Sequence, residues 1–311
     1  MTPSIKPVEY NPTATQPLTK PVTQRMLNGR EGEVEMTRES SFVYVVGNVN
    51  AKFPSLSLEK ELYQNSLILG TKLPLLGQVN DDIGLEQLNR DNDLYKELFK
   101  GLSEPKNRYI AREMNWVLDN RFGEQLYDLY VSTEDLLTQC ISALGRTQSA
   151  ENEQVIVIGK SNHAEVIEVS AILPVAVMPL GQLVHGDSHS NNHLQKMVKE
   201  ITSLDSSSGN TDALRALNFV LYNNPKIYEK SSHLYYKSNS DGPNPSGYQL
   251  ISVDVDTLTS GDRIVANVIF TYQGINTGAF QYWYSRADIT GEYPFLVTDW
   301  EQYLPTRMKY R

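Results

Sequence analysis

The clearest hydrophobic pattern lies in the last fifth of the chain. From Ile264, the alternate positions Ile264, Ala266, Val268, Phe270 and Tyr272 are apolar or aromatic, while Asn267, Thr271 and Gln273 are polar. That is the period of a half-buried strand. After Gly274-Ile275-Asn276-Thr277-Gly278 a second run opens at Ala279 and carries Phe280, Tyr282, Trp283 and Tyr284. Two β-rich runs joined by a short glycine-flanked loop predict an antiparallel hairpin over 264–288. A lone hairpin is marginal in water, so this one must rest on more sheet or on helices.

Upstream, Phe42, Tyr44 and Val46 alternate with Val43 and Val45. The apolar residues on both sides predict a strand buried on both faces, closed by Gly47 and the Phe53-Pro54 step. Ser55 and Ser57 precede a helix on which Leu58, Leu62 and Leu69 face inward. Residues 70–106, rich in glycine and proline, read as a surface excursion with a short helix near Leu94 to Leu102. Asn107 to Val131 fits helix and strand templates in part. The turn signal Asp119-Asn120-Arg121-Phe122-Gly123 favours a second hairpin, with Gln125 to Val131 returning. Glu134 to Leu144 predicts a helix capped by Ser132 or Thr133 and stopped by Gly145. VIVIG at 155–159 is a strand, and the prolines of LPVAVMPLGQL at 173–183 demote that run to an edge or irregular strand. A helix capped by Thr211 or Asp212 carries Leu214, Leu217, Val220 and Leu221 inward and ends before Pro225. In LISVDVDTL, Ile251, Val253 and Val255 face one way and Ser252, Asp254 and Asp256 the other.

Strands joined largely by hairpins and interleaved with a few helices make the fold class α+β, with mostly antiparallel sheet and two lobes. Residues 1–40, with prolines at 3, 7, 12, 17 and 21, read as an extended or disordered arm. Residues 41–160 form the N-terminal lobe, and 161–311 form the C-terminal lobe with the 264–288 hairpin.

Composition then narrows the function. The 311 residues include 40% apolar ones, ample for a buried core. A net charge of −9 and the lack of any basic run argue against a nucleic-acid partner. No apolar segment reaches the ~20 residues that span a bilayer, and no signal pattern follows Met1, so a cytoplasmic protein without membrane contact is expected. The single cysteine, Cys140, forbids an internal disulfide. Leu136, Leu137, Ile141 and Leu144 around it predict a buried helical thiol.

The segments VYVVGNVNAKFPSLSLEKEL, NRYIAREMNWVL, VIVIG, ALNFVLYNNPKIY, ISVDVDTLTSGDRIVANVIFTY and RADITGEYPFLVT, in this order, resemble the C-terminal domain of unknown function of the cyanobactin maturation proteases of the PatG and PatA type. The resemblance covers nearly everything after residue 40. It implies a place in the biosynthesis of ribosomally made peptide natural products, with a precursor peptide or the processing enzymes as partners. The family assigns no chemistry to this domain. The glycine-rich serine motif with upstream Asp and His is absent from the sequence, so protease or macrocyclase activity does not carry over. The expected role is a non-catalytic accessory or scaffold protein, with homo-oligomerisation as a further possibility for the module.

Two sets of candidate site residues follow from the residues themselves. Tyr282, Trp283 and Tyr284 offer large rigid contact area with polar handles, suited to an extended peptide. They fill a hairpin equally well. Arg108 and Arg112, four apart, could clamp a carboxylate if they share a helix face, or form ion pairs inside the fold. The second set is His185, His189 and His193 with Asp187. At intervals of four, the imidazoles would share a helix face and take a divalent metal such as zinc, the basis of an alternative, metal-assisted peptide-modifying enzyme. Gly186, Ser188, Ser190, Asn191 and Asn192 instead favour a solvated loop.

Overall fold

The computed structural model describes residues 41–68, 96, 98–146, 154–163, 165–175, 201, 208–235 and 247–304. Its elements confirm an α+β fold built from two sheets, a closed barrel and a four-stranded meander, whose hydrophobic cores both draw on one long first strand. β1 (Phe42–Lys52) is buried along almost its whole length. Its first half, Phe42 to Gly47, pairs antiparallel with β4 (Val155–His163), and its second half, Asn48 to Lys52, with β2 (Asn115–Asp119). Gly47 sits where the partner changes. A Cβ there would meet the Asp119 carbonyl oxygen at 2.4 Å, so only glycine lets the two backbones approach. The glycine expected to end the strand is the point at which it switches partner.

β3 (Gln125–Tyr130) returns antiparallel along β2, and β5 (Val166–Pro174) lies parallel to β3 and antiparallel to β4. The order β1-β2-β3-β5-β4 closes into a barrel, with a helix between β3 and β4. This is the connectivity of an OB-type Greek-key barrel. The interior takes Val43, Val45, Val49, Trp116, Leu118, Leu129 and Ile167. Helix α1 (Leu56–Ile68) adds Leu58 and Leu62, and the short α2 (Arg108–Glu113) adds Ile110. Helix α3 (Glu134–Arg146) is strongly amphipathic and turns Leu137, Cys140, Ile141 and Leu144 into the same core. Thr133 Oγ1 caps it by accepting from the Leu136 amide at 3.3 Å.

The outward side chains of the same first strand serve a second core. Tyr44 and Val46, with Ile156 and Ile158 of β4, pack against α4 (Asp212–Asn223), and α4 packs in turn on the second sheet. That sheet is an antiparallel meander of β6 (Tyr248–Ser260), β7 (Arg263–Gly274), β8 (Phe280–Asp288) and β9 (Phe295–Gln302). Val253, Val268, Phe270, Tyr272 and Ala287 face α4 and α5 (Lys226–Tyr235). Pro225 separates the two helices, and Thr211 Oγ1 caps α4 from the Leu214 amide at 3.3 Å.

Buried polar groups tie these layers together. Arg215 of α4, 1% exposed, donates to the carbonyls of Ile289 at 3.0 Å and Gly291 at 2.6 Å. Its guanidinium also lies 5.4 Å from the Phe42 ring centre and 3.6 Å from Asp212. Ser231 of α5 and the Tyr272 hydroxyl share a buried hydrogen bond of 2.5 Å. Arg215 thus ties α4 to β1 and to the loop after β8.

Local readings differ from the structure in three further places. Asn107 to Val131 is both helix and hairpin: Arg108–Glu113 is helical, and the first hairpin strand begins only at Asn115. Both templates fitted because each covers half. Gly145 lies inside α3, which runs on to Arg146, and its neighbour there is the Phe99 ring. β5 was not anticipated, although Ile167 and Val169 alternate with exposed Glu168. Leu69 and all of 70–95 and 176–200 lie outside the described residues.

Candidate functional site

The second sheet has one face on α4 and α5 and one face that the described helices leave open. Its register decides which side chains stand there. Across β6, β7 and β8 the open face carries the rows Ser252–Thr271–Tyr282, Asp254–Ile269–Tyr284 and Asp256–Asn267–Arg286, while Gln273 pairs with Phe280. Asp254 and Asp256 are exposed, as the alternation in β6 predicts, and Tyr282, Tyr284 and Arg286 are half-buried.

These groups make a connected polar–aromatic surface. Phe280 and Tyr282 stack with ring centres 6.4 Å apart, and the Arg286 guanidinium lies 5.3 Å from the Tyr284 ring centre. Arg286 Nε donates to Asn267 Oδ1 at 2.7 Å, which fixes its orientation. The Tyr284 hydroxyl donates to Glu301 Oε2 of β9 at 2.9 Å. Partial burial and then that hydrogen bond raise the Tyr284 phenol above its ordinary range, so it stays a donor. Toward the far end of the sheet Phe295 and Val297 are about half exposed. There Asp288 is buried, which pushes its carboxyl up, but bonds from Thr290 and Arg263 outweigh this and hold it low.

The structure separates the three aromatics singled out in β8. Tyr282 and Tyr284 stand on the open face. Trp283 faces the core, stacked on Trp300 with centres 5.8 Å apart and planes 10° from parallel. Strand alternation requires this split. Arg108 and Arg112 lie on the barrel, on α2, and both engage one carboxylate at the start of α3: Glu134 accepts from Arg108 Nε at 3.2 Å and from Arg112 Nε at 2.5 Å. Those bonds hold the exposed Glu134 carboxyl below the usual range, Arg112 contributing first. His185, Asp187, His189 and His193 lie outside the described residues. Among the described residues, no group of three or more His, Cys, Asp or Glu could hold a metal ion.

Sequence reasoning missed Phe280's stacking role, Arg286 and Glu301. The signal for Arg286 was present, since it continues the alternation from Tyr282 and Tyr284. Glu301 could not be found that way, because irregular register between β8 and β9 shifts the pairing. Cys140, 0% exposed on α3, has its thiol pushed up to about 12 by burial, which leaves it inert as a nucleophile.

No helix among the described residues is long and apolar enough to cross a membrane. No curated protein sequence matches the chain. A solved structure described as "PatG Domain of Unknown Function" superposes with a TM-score of 0.64 at 14% identity, covering 85% of this chain and 99% of that one. That likeness carries the fold. The family profile described as "PatG Domain" matches residues 42–220, and "PatG C-terminal" matches 185–303. With strands and helices matched from β1 through β9, the chain belongs to the PatG domain family.

Proposed function

We propose that the protein is a non-catalytic accessory protein of cyanobactin-type peptide biosynthesis that holds an extended precursor peptide on the open face of the β6–β9 sheet. The observation that carries this reading is the Phe280–Tyr282–Tyr284–Arg286 row, which presents aromatic faces and an oriented guanidinium to solvent. Rigid aromatic groups give contact area at low entropic cost, and a positioned Arg recognises peptide carbonyls or carboxylates. β6 and β9 end the sheet, so a peptide strand can also add its main-chain hydrogen bonds along an edge. The family membership supports the peptide pathway as the setting. The cytoplasm is the compartment this role requires.

The test is a fluorescence-anisotropy titration of labelled precursor peptide into the full chain and into Y282A/Y284A. Saturable binding that the double variant weakens at least tenfold supports the reading. Equal binding by both, or no binding to precursor peptide and to the pathway enzymes alike, overturns it.

A further inference from the structure

The outer side of the barrel wall holds a group of buried polar oxygens. Asn48 and Asn50 of β1 and Asp119 of β2 point out of the barrel, and Asn48 stands directly opposite Asp119 in the ladder. They are 8%, 9% and 8% exposed. Asn50 Nδ2 donates to Asp119 Oδ2 at 2.5 Å. The Oδ1 atoms of all three residues are buried and have no hydrogen-bond partner among the described residues. Turning the Asn50 amide over would only set its oxygen against the carboxylate. Lys52, at the end of the same strand, is engaged with Gln125 Oε1 at 2.5 Å, and among the described residues no ion pair reaches Asp119.

A buried carboxylate without a cation and two buried amide oxygens without donors are each costly. Together they present three acceptors and one negative charge. A primary ammonium supplies three N–H donors, no acceptor and one positive charge. Calcium would require six to eight oxygens and more negative charge, and octahedral magnesium would retain an excess positive charge here. The position is informative too, because in barrels of this connectivity the face of β2 and β3 is where ligands lie. Here that face carries Asp119 and Asp128 rather than basic residues, which suits a cation and opposes a nucleic acid.

We infer that Asn48, Asn50 and Asp119 form a binding site for a primary ammonium group of a peptide, either a lysine side chain or a free N-terminus. The inference rests on the reading that the protein handles a peptide, but uses a surface distinct from the β6–β9 face.

The test follows side-chain amide signals of Asn48 and Asn50 by NMR in the full chain, assigned with N48A and N50A. The probes are Gly-Gly-Gly amide with a free N-terminus, acetyl-Gly-Lys-Gly amide, and acetyl-Gly-acetyllysine-Gly amide. Saturable shifts with one or both of the first two probes, and none with the third, are expected; which one acts identifies the source of the ammonium. D119N, isosteric and uncharged, should weaken binding at least tenfold while unfolding at the same or higher urea concentration. N48A should weaken it several-fold. Equal response to the fully capped probe, unchanged affinity in D119N, or response only to calcium or magnesium overturns the site. Y282A/Y284A separates the two readings: it should bind these probes as wild type does even if precursor binding to the sheet fails.

Discussion

The side-chain amide of Asn218, fully buried on α4, donates to the backbone carbonyl of Tyr44 at 2.9 Å. The amide of Tyr44 donates to the Gly209 carbonyl at 3.2 Å. Because the first half of β1 pairs with β4 on one side only, its other edge would otherwise be left with unpaired groups inside the protein. Asn218 and the loop before α4 complete that edge. Replacing Asn218 with leucine leaves the Tyr44 carbonyl without a donor and should cost about 1–3 kcal/mol. Urea denaturation should show a lower midpoint at unchanged slope.

Gly47 and Gly123 give a paired test of backbone constraint. Gly123 has φ of 83° with nothing within 4 Å of a Cβ, so G123A should cost only the left-handed strain of roughly 1–2 kcal/mol. G47A places a Cβ 2.4 Å from the Asp119 carbonyl oxygen and forces two backbones apart at the point where β1 changes partner. Its thermal midpoint should fall further than that of G123A. Equal midpoints would show that the barrel can relax there.

The alternation of β8 predicts opposite outcomes for adjacent residues. W283A removes the ring stacked on Trp300 and should destabilise the fold by roughly 3 kcal/mol. Y282A, on the open face, should change stability by no more than about 0.5 kcal/mol. Precursor affinity should respond in the reverse order once unfolded W283A is accounted for by circular dichroism.

Burial raises the phenols of Tyr44 and Tyr127 to about 12, with the Asn223 bond partly offsetting the effect at Tyr44, and it raises Tyr272 as well. The neutral form is therefore favoured in the folded state, which binds more protons than the unfolded chain above pH 10. The stabilising contribution of these groups is complete below pH 10 and is lost as pH rises through 10 toward 12. Unfolding midpoints should be flat up to about pH 9 and fall steeply beyond 10. In an ultraviolet titration these tyrosines should ionise only with unfolding. Cys140 should resist a thiol reagent at pH 8 until denaturant is added.

How far the sequence reveals this molecule depends on the range of the interaction. Alternation read the 264–288 hairpin, the wet face of β6 and the doubly buried β1 correctly, because each is a local rule. Capping narrowed each helix start to two neighbours, Ser132 or Thr133 and Thr211 or Asp212, for the same reason, and the threonines are the caps. Partner choice was not legible: nothing local marks β1 as shared by β2 and β4, or Asp119 as the neighbour of Asn48. The three free oxygens at Asn48, Asn50 and Asp119 arise from strand register across 69–71 positions of chain, so no motif records them. Arg108 and Arg112 illustrate the middle case, since a common helix face was one of two readings of their segment, and Glu134, their partner, was not legible.

The two-sided burial of β1 bears on how the protein can be divided. Val43 and Val45 belong to the barrel interior, and Tyr44 and Val46 to the layer beneath α4. A fragment starting after the barrel would leave the underside of α4 wet and Arg215 without its aromatic neighbour Phe42. A fragment ending before α4 would expose Tyr44 and Ile158 in the same way. Neither portion could be swapped, grafted or inherited alone without new packing to replace what this one strand provides to both.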